Sequence, residues 1–321
     1  MTHPLPARPA APALPAVPGV RHHDLDADGI RLHLAETGPG VGRGADTGTG
    51  TGTARPTPLL LLHGFPQHWY AWRHLLPLLS GEFRLLCLDL PGFGWSQAPR
   101  GSGYTTEDRA RLVLAALDRL GLDRVGLVGH DWGAWTGFEL ALRAPERFTG
   151  LLALNMTHPW PRQRALLGTA WRFWYTALLE YPGVGRRVVR RYPGLLAQLL
   201  RRGVPSTETP WPAEELASYV TAGSTPEAAY AAERLHWGFV VRDIPRLALG
   251  RFRHRRLTVP THLLGGALDP VIHPALLSTA GAPADRLTAE VLPGCGHFLP
   301  HERPEEVAAA VRRLFAAPVR R

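Results

Sequence analysis

Gly129-His130-Asp131-Trp132-Gly133 constrains this chain more than any other stretch, because a short aliphatic segment must there turn sharply into a helix. Residues 124–128 read as a buried strand, with Val125, Leu127 and Val128 apolar, and residues 134–143 read as a helix. The flanking glycines relieve the steric cost of the turn and let strand and helix approach closely. A strand–turn–helix of this kind presents its central side chain at the end of a sheet. Here that side chain is an aspartate where serine is usual. A carboxylate is ionised at neutral pH and attacks without a base. Its product is an alkyl ester, so the electrophile is a saturated carbon with a strained or good leaving group. That points away from esterases and peptidases.

The neighbouring pattern predicts the fold. Residues 58–62, 83–90 and 148–156 are further aliphatic runs, and amphipathic helices are expected after the first run through Leu79, over 106–120 and from Pro304 to about Ala316. Strands over 22–27 and 30–36, joined by an Asp28-Gly29 turn, begin the structure. Strand-like runs resume at 257–268 and 287–292, whereas 158–250 shows helical spacing and no convincing strand. Buried strands alternating with helices imply an α/β fold, a mostly parallel sheet covered on both faces. The expected organisation is a disordered Pro/Ala-rich tail over 1–20, a first core part over 21–157, a helical cap over 158–250 and a second core part over 251–321. The cap is expected over the strand ends, where ligands bind in such sheets. Residues 38–58, rich in Gly and Thr, read as a surface loop.

With 321 residues, 45% of them apolar, the chain can bury a sizeable core. The formal net charge is +9, yet all 36 basic residues are arginine, which reads as coding bias rather than selection for a basic surface. The clusters at Arg186-Arg187, Arg190-Arg191, Arg201-Arg202 and 251–256 read as solvated helix faces, with a nucleic-acid or anionic-membrane surface as the lesser alternative. No nucleic-acid partner is expected without a binding motif. Cys87 and Cys295 support neither a disulfide framework nor a metal site, and both read as structural. No signal peptide and no membrane span is apparent, so the expected location is the cytoplasm. No cofactor is expected.

Five blocks in order resemble the α/β-hydrolase superfamily, specifically its epoxide hydrolase and haloalkane dehalogenase branch. They are His63-Gly64-Phe65-Pro66, the Gly-Phe-Gly loop ending in Ser96, Gly129–Gly133, Leu268-Asp269-Pro270-Val271, and Gly294-Cys295-Gly296-His297-Phe298. The resemblance covers about residues 21–316. It implies Asp131 as nucleophile, with His297 activating water against the ester and Asp269 orienting the imidazole. It also implies that the backbone N–H groups of Phe65 and Trp132 receive the oxyanion, with Pro66 shaping that loop through a cis bond. The branch members that open epoxides use cap tyrosines as proton donors. The first of these maps to Tyr175. At the second position the expected tyrosine is replaced by His236, which leaves Tyr175 as sole donor, makes His236 the second donor, or indicates another leaving group. Tyr230 is the fallback. Trp135, Trp237 and Phe298 are candidate substrate-binding residues.

Haloalkane dehalogenases hold a halide with N–H donors, a role open to Trp132 and to the cap tryptophans Trp171, Trp174, Trp211 and Trp237. Tryptophans where haloacid-cleaving relatives carry arginines argue against a haloacid. The third reading is a silent binding protein that keeps the pocket, disfavoured by an intact nucleophile, acid and base, or an Arg-rich nucleic-acid binder. Of the fifteen histidines, His63 is expected to brace its loop and His130 to pack at the strand end. His22, His23, His254 and His301 are expected on the surface, and Asp89 is expected to brace a loop.

Overall fold

The computed structural model describes residues 12–41, 57–99, 101, 104–169, 179 and 181–316. β1 (Arg21–Ala27) and β2 (Ile30–Thr37) form a hairpin. Its turn residues Asp28 (φ 52°) and Gly29 (φ 79°) take the left-handed pair that a two-residue hairpin demands. The remaining strands are β3 (Leu59–Leu62), β4 (Leu85–Leu88), β5 (Val125–His130), β6 (Phe148–Leu154), β7 (Thr261–Gly266) and β8 (Leu287–Leu292). They build one eight-stranded sheet in the order β1-β2-β4-β3-β5-β6-β7-β8. β2 lies antiparallel to β4, and every pairing from β4 across to β8 is parallel. This is the architecture of the α/β-hydrolase fold.

The four leucines of β3 show why the sheet needs cover on both sides. Leu60 and Leu62 enter one core cluster with Val113 and Phe138, while Leu59 and Leu61 enter another with Trp69, Trp72 and Val311. Side chains alternate across a strand, so a continuous aliphatic run has no solvent face. The covering helices include α1 (Leu76–Leu79), α2 (Thr106–Arg119) and α3 (Trp132–Arg143). α2 starts at a reciprocal cap in which the Thr105 hydroxyl accepts the Asp108 N–H and Asp108 answers to the Thr105 N–H.

Between β6 and β7 the described elements are helical: α4 (Gln163–Thr169), α5 (Gly185–Arg191), α6 (Gly194–Gly203), α7 (Ala213–Gly223), α8 (Pro226–Gly238) and α9 (Ile244–Ala248). After β8 come α10 (Leu299–Glu302) and α11 (Pro304–Phe315). The inserted helices meet the loops that follow β3 and β8. Phe65 packs against Leu179, Val189, Leu196 and Ala229. Phe298 packs with Leu200, Val204, Trp211, Leu216 and Tyr219. No helix among the described residues is long and apolar enough to cross a membrane.

Three expectations need correction. Residues 12–20 are ordered against the core, since Leu14, Val17 and Val20 pack on the second cluster and the Trp95 indole donates to the Pro12 carbonyl at 2.8 Å. The helix after Pro66 is a 3-10 turn, Trp69–Trp72, followed by the single turn α1, Leu76–Leu79, with Pro77 in its first turn. His301 is buried rather than on the surface, because charge from both layers converges on it. The Arg73 guanidinium, on the core, pairs with both oxygens of Glu215 on α7, and donates to the Tyr219 hydroxyl at 3.0 Å and to His301 Nδ1 at 2.9 Å. His301 in turn stacks on Trp211 at 3.9 Å.

Asp89 does brace its loop. Fully buried, it accepts the Trp69 N–H at 2.6 Å, the Trp95 N–H at 3.0 Å and His33 Nδ1–H at 2.8 Å. Burial opposes its charge, but His33, His63 and His68 outweigh that and hold its pKa down at about 2. Asp89→Ala strands three donors in the interior and is expected to cost about 3–5 kcal/mol. Urea unfolding of the variant measures this, and a loss below about 1 kcal/mol would remove Asp89 from the account.

Candidate active site

The turn between β5 and α3 holds Asp131 at φ 50°, ψ −120°, a region that residues with a Cβ rarely occupy and that neighbours must enforce. Close packing enforces it here. A Cβ on Gly133 would collide with the Leu62 carbonyl, and one on Gly64 would lie 2.5 Å from the Asp131 Cβ. The elbow therefore presses directly on the end of β3. That contact puts the loop after β3 over the carboxylate, and the Phe65 N–H donates to Asp131 Oδ2 at 3.0 Å. The Trp132 N–H also supports the carboxylate. The Phe65–Pro66 bond is cis, as expected for the loop.

His297 arrives from the loop after β8. Its Nε2 lies 3.9 Å from Asp131 Oδ1, and its Nδ1–H donates to Asp269 Oδ2 at 2.9 Å. Asp269, at the end of β7, is itself held on both oxygens. Oδ1 accepts the N–H groups of Val271 (2.8 Å) and Ile272 (2.9 Å), and Oδ2 accepts the Asn155 amide at 3.0 Å. Three residues distant in sequence thus converge because β5, β7 and β8 end on the same side of one parallel sheet.

Burial pushes the Asp131 carboxyl up to about 6, with His297 and the Phe65 and Trp132 N–H groups pulling back against it. For His297 burial opposes the charge, but the Asp269 carboxylate beside it, with help from Asp131, prevails and raises the imidazole to about 9. The resting site therefore holds an imidazolium between two acids. The loop backbone is pinned too: His130 Nε2–H donates to the His297 carbonyl at 2.7 Å, and the His297 N–H donates to the Gly203 carbonyl at 2.7 Å. Glu302 accepts the Gly296 and Phe298 N–H groups at 2.8 and 3.0 Å.

His236, on α8, reaches this site. Its ring stands edge-on to Phe65 at 4.9 Å and to Trp132 at 5.3 Å. Its Nδ1 lies 2.7 Å from the Ala232 carbonyl, so that nitrogen carries the proton and donates. Burial lowers its pKa to about 4, with the Arg109 charge adding to the effect. A neutral ring with Nδ1–H spent offers only an acceptor at Nε2, which does not suit it to be a second proton donor.

Other expected residues fall elsewhere. Trp135 turns its indole N–H to Asp243 Oδ2 at 3.1 Å and packs on Phe239 and Phe252. One helical turn beyond Asp131, it lines a small cavity with Thr106, Asp243 and Arg246 instead of the space over the carboxylate. Trp237 is half-buried, and no described hydrogen bond or ring contact joins it to Asp131 or His297. Phe298 does stand against the His297 ring at 5.1 Å, sharing that place with Trp211. Tyr230 packs edge-on to Tyr104 with the Arg186 guanidinium over it. Tyr175, Trp171 and Trp174 lie outside the described residues.

Two residues escaped the sequence reading. Asn155, at φ 50° after β6, bridges Asp269 and the Gly296 carbonyl (2.9 Å), tying acid loop to histidine loop. Its only sequence signal is a polar residue ending an aliphatic strand. Arg109 is buried behind α3, donating to Thr136 Oγ1 (3.1 Å) and the Tyr104 carbonyl (2.8 Å). It looks like any arginine of an amphipathic helix. As for metals, His74, Glu215 and His301 place three donor atoms within 4.8 Å. The Arg73 guanidinium already fills that space, holding both Glu215 oxygens and His301 Nδ1.

Known proteins share this fold. A family model described as the alpha/beta hydrolase fold matches residues 57–304. The chain is 28% identical over 311 residues to a soluble epoxide hydrolase of Corynebacterium sp. (strain C12), covering 92% of this chain and 98% of that protein. Epoxide hydrolase 3 of Xenopus tropicalis is 30% identical over 271 residues, 79% of this chain and 70% of the relative. Haloalkane dehalogenase 2 of Mycobacterium bovis is 27% identical, with 80% and 87% covered. Among solved structures, the ligand-free epoxide hydrolase CorEH matches with a TM-score of 0.75 at 26% identity, covering 92% of this chain and 99% of that one. Fold, site geometry and relatives agree: the chain belongs to the α/β-hydrolase family and is an enzyme of its epoxide hydrolase-like branch.

Proposed function

We propose that the protein opens an apolar epoxide to a vicinal diol through an ester on Asp131. The observation that carries this reading is the different surroundings of the two Asp131 oxygens. Oδ2 is held by the Phe65 N–H, whereas Oδ1 faces His297 Nε2 at 3.9 Å, beyond hydrogen-bond reach. Oδ1 attacks the epoxide carbon, the C–O bond of the ring breaks, and the departing oxygen takes a proton. Oδ2 becomes the ester carbonyl oxygen, already aligned with donors that stabilise it as an oxyanion in the second step.

Esterification removes the Asp131 charge, one of the negative charges that hold the proton on His297. Its pKa then falls, and the neutral ring can take a proton from water as that water attacks the Asp131 carbonyl carbon. The tetrahedral intermediate collapses by breaking the bond between the Asp131 carbonyl carbon and the diol oxygen. That oxygen leaves with one proton of the water while the other restores the imidazolium. The proton His297 released on esterification replaces the one given to the epoxide oxygen. Tyr175 is the proposed donor of that proton, because a neutral phenol can donate near neutral pH and His236 has committed its N–H to Ala232. The relatives named epoxide hydrolases support this branch. Haloalkane dehalogenation by the same three residues is the second reading, favoured by Trp132, whose indole N–H has no partner among the described residues. Two buried, unpaired cysteines support a reducing, cytoplasmic setting.

His297→Gln should be alkylated and then stall, because attack needs no base while hydrolysis does. Intact-protein mass spectrometry should show an adduct of the whole epoxide mass, mapped to Asp131. A haloalkane would add only its alkyl part. Absence of any adduct, in a variant whose parent turns the compound over, would overturn the carboxylate nucleophile.

Alkylation requires the carboxylate, so its single-turnover rate should fall as pH drops through about 6. In His297→Gln the midpoint should move upward, since the imidazolium that lowers the Asp131 pKa is gone. A midpoint near that of an ordinary aspartate, about 4, would contradict the buried-carboxylate description.

Tyr175→Phe should slow alkylation by an epoxide roughly 10²–10⁴-fold, the usual worth of a positioned acid. His236→Phe should slow it less than about tenfold, as expected for a group that does not donate. The opposite ranking in rapid-quench measurements would make His236 the donor.

A further inference from the structure

Residues 181–206 contain six arginines and no acidic residue. Elsewhere some arginines pair with carboxylates, as in Arg84–Glu36 (2.6 Å), Arg147–Asp118 (2.7 Å), Arg255–Glu139 (2.9 Å) and Arg312–Glu82 (2.7 Å), while scattered ones such as Arg162, Arg164, Arg251 and Arg253 are exposed without a described ion pair. None of the six enters an ion pair among the described residues. Arg187 donates only to the Gly183 carbonyl, and Arg191 lies over the Tyr192 ring at 5.9 Å. What sets this stretch apart is six arginines within 26 residues with no acidic residue among them.

The stretch is also sided. On α5, Gly185 and Val189 face inward, and Val189 joins the cluster against which Phe65 packs. Arg187, Arg190 and Arg191 are exposed, together with Tyr181 (64%), Tyr192 (63%) and Val184 (40%). Favourable placement at a helix C-terminus accounts for Arg190 and Arg191, but not for Arg187 or for two tyrosines left in water. Guanidinium groups pair with phosphate oxygens, and tyrosines flanking an apolar side chain suit the headgroup boundary of a bilayer. A nucleic-acid backbone would satisfy the charge but would not repay exposure of Val184.

We propose that the outer face of residues 181–192 docks on an anionic lipid surface. The charge is complementary to phosphate headgroups, the tyrosines and Val184 enter the boundary region, and no membrane span is required. Because the inner side of the same helix packs toward Phe65, docking holds the loop beside Asp131 close to the bilayer, where apolar compounds concentrate.

The full chain is tested by co-sedimentation with phosphatidylcholine vesicles, with and without phosphatidylglycerol, at low and high salt. Binding is expected only to the anionic vesicles and should weaken with salt. The triple variant Arg187→Gln, Arg190→Gln, Arg191→Gln should lose roughly one hundred-fold in partitioning, from about fivefold per arginine. A distant triple, Arg256→Gln, Arg312→Gln, Arg313→Gln, should bind like the parent. Tyr181→Ser with Tyr192→Ser should weaken binding without changing its salt dependence. Circular dichroism melting establishes that each variant is folded. The proposal is overturned if the parent ignores anionic vesicles, or if the distant triple loses as much as the local one. It is equally overturned if duplex DNA is held more tightly than the vesicles and the tyrosine changes have no effect, which would make this a nucleic-acid surface.

Discussion

Asp131 occupies a backbone conformation that only its surroundings can maintain, and the chemistry-bearing parts of the molecule are arranged around that strain. The turn exists because α3 begins against the end of β3, with hydrogen in place of a side chain at Gly133 and at Gly64. The same contact brings the Phe65 N–H to Asp131 Oδ2. Nucleophile and oxyanion donor are consequently one packing feature. A side chain at either glycine would disturb both together.

The electrostatics follow from burial. Removing Asp131 and His297 from water makes each depend on its neighbours for its charge state. Asp269 holds the imidazole as a cation at rest, and the hydrogen bonds from Val271, Ile272 and Asn155 keep Asp269 itself oriented. A cation already poised between two acids responds strongly when one acid is neutralised. The proposed switch of His297 from imidazolium to base needs no movement of any residue.

The inserted helices are attached to the core at places of differing character. Near Phe65 and Phe298 the contact is apolar, while at Arg73 it is a fully hydrogen-bonded ionic cluster that also engages His301 and Trp211. Breaking one member of such a cluster leaves a buried charge unmatched, which fixes position more sharply than apolar contact does. His236 adds a further contact, its ring against Phe65 and Trp132, the residues beside the carboxylate.

Where a local signal existed, the sequence by itself determined the outcome. Aliphatic runs gave the strands, Asp28-Gly29 the hairpin, and glycines around Asp131 the elbow, because sterics and periodicity act over a few residues. The order of the motifs also placed Asp131, Asp269 and His297 at strand ends. Tertiary structure alone decided which polar atoms face one another. Nothing local distinguishes His301, drawn inward by Arg73, from a surface histidine, or Trp135, whose indole turned to Asp243, from a pocket wall. Asn155 and Arg109 are further examples, since their partners lie on other elements. Pro and Ala dominate the composition of 1–20 and point to disorder, yet within 12–20 three spaced aliphatic residues find a surface to cover. His236 was visible as a departure from the expected tyrosine, but the nitrogen bearing its proton became known only when the helix placed the Ala232 carbonyl beside it. Pattern is a property of the chain, whereas the state of a hydrogen-bonding group belongs to whatever the fold brings within about 3 Å of it.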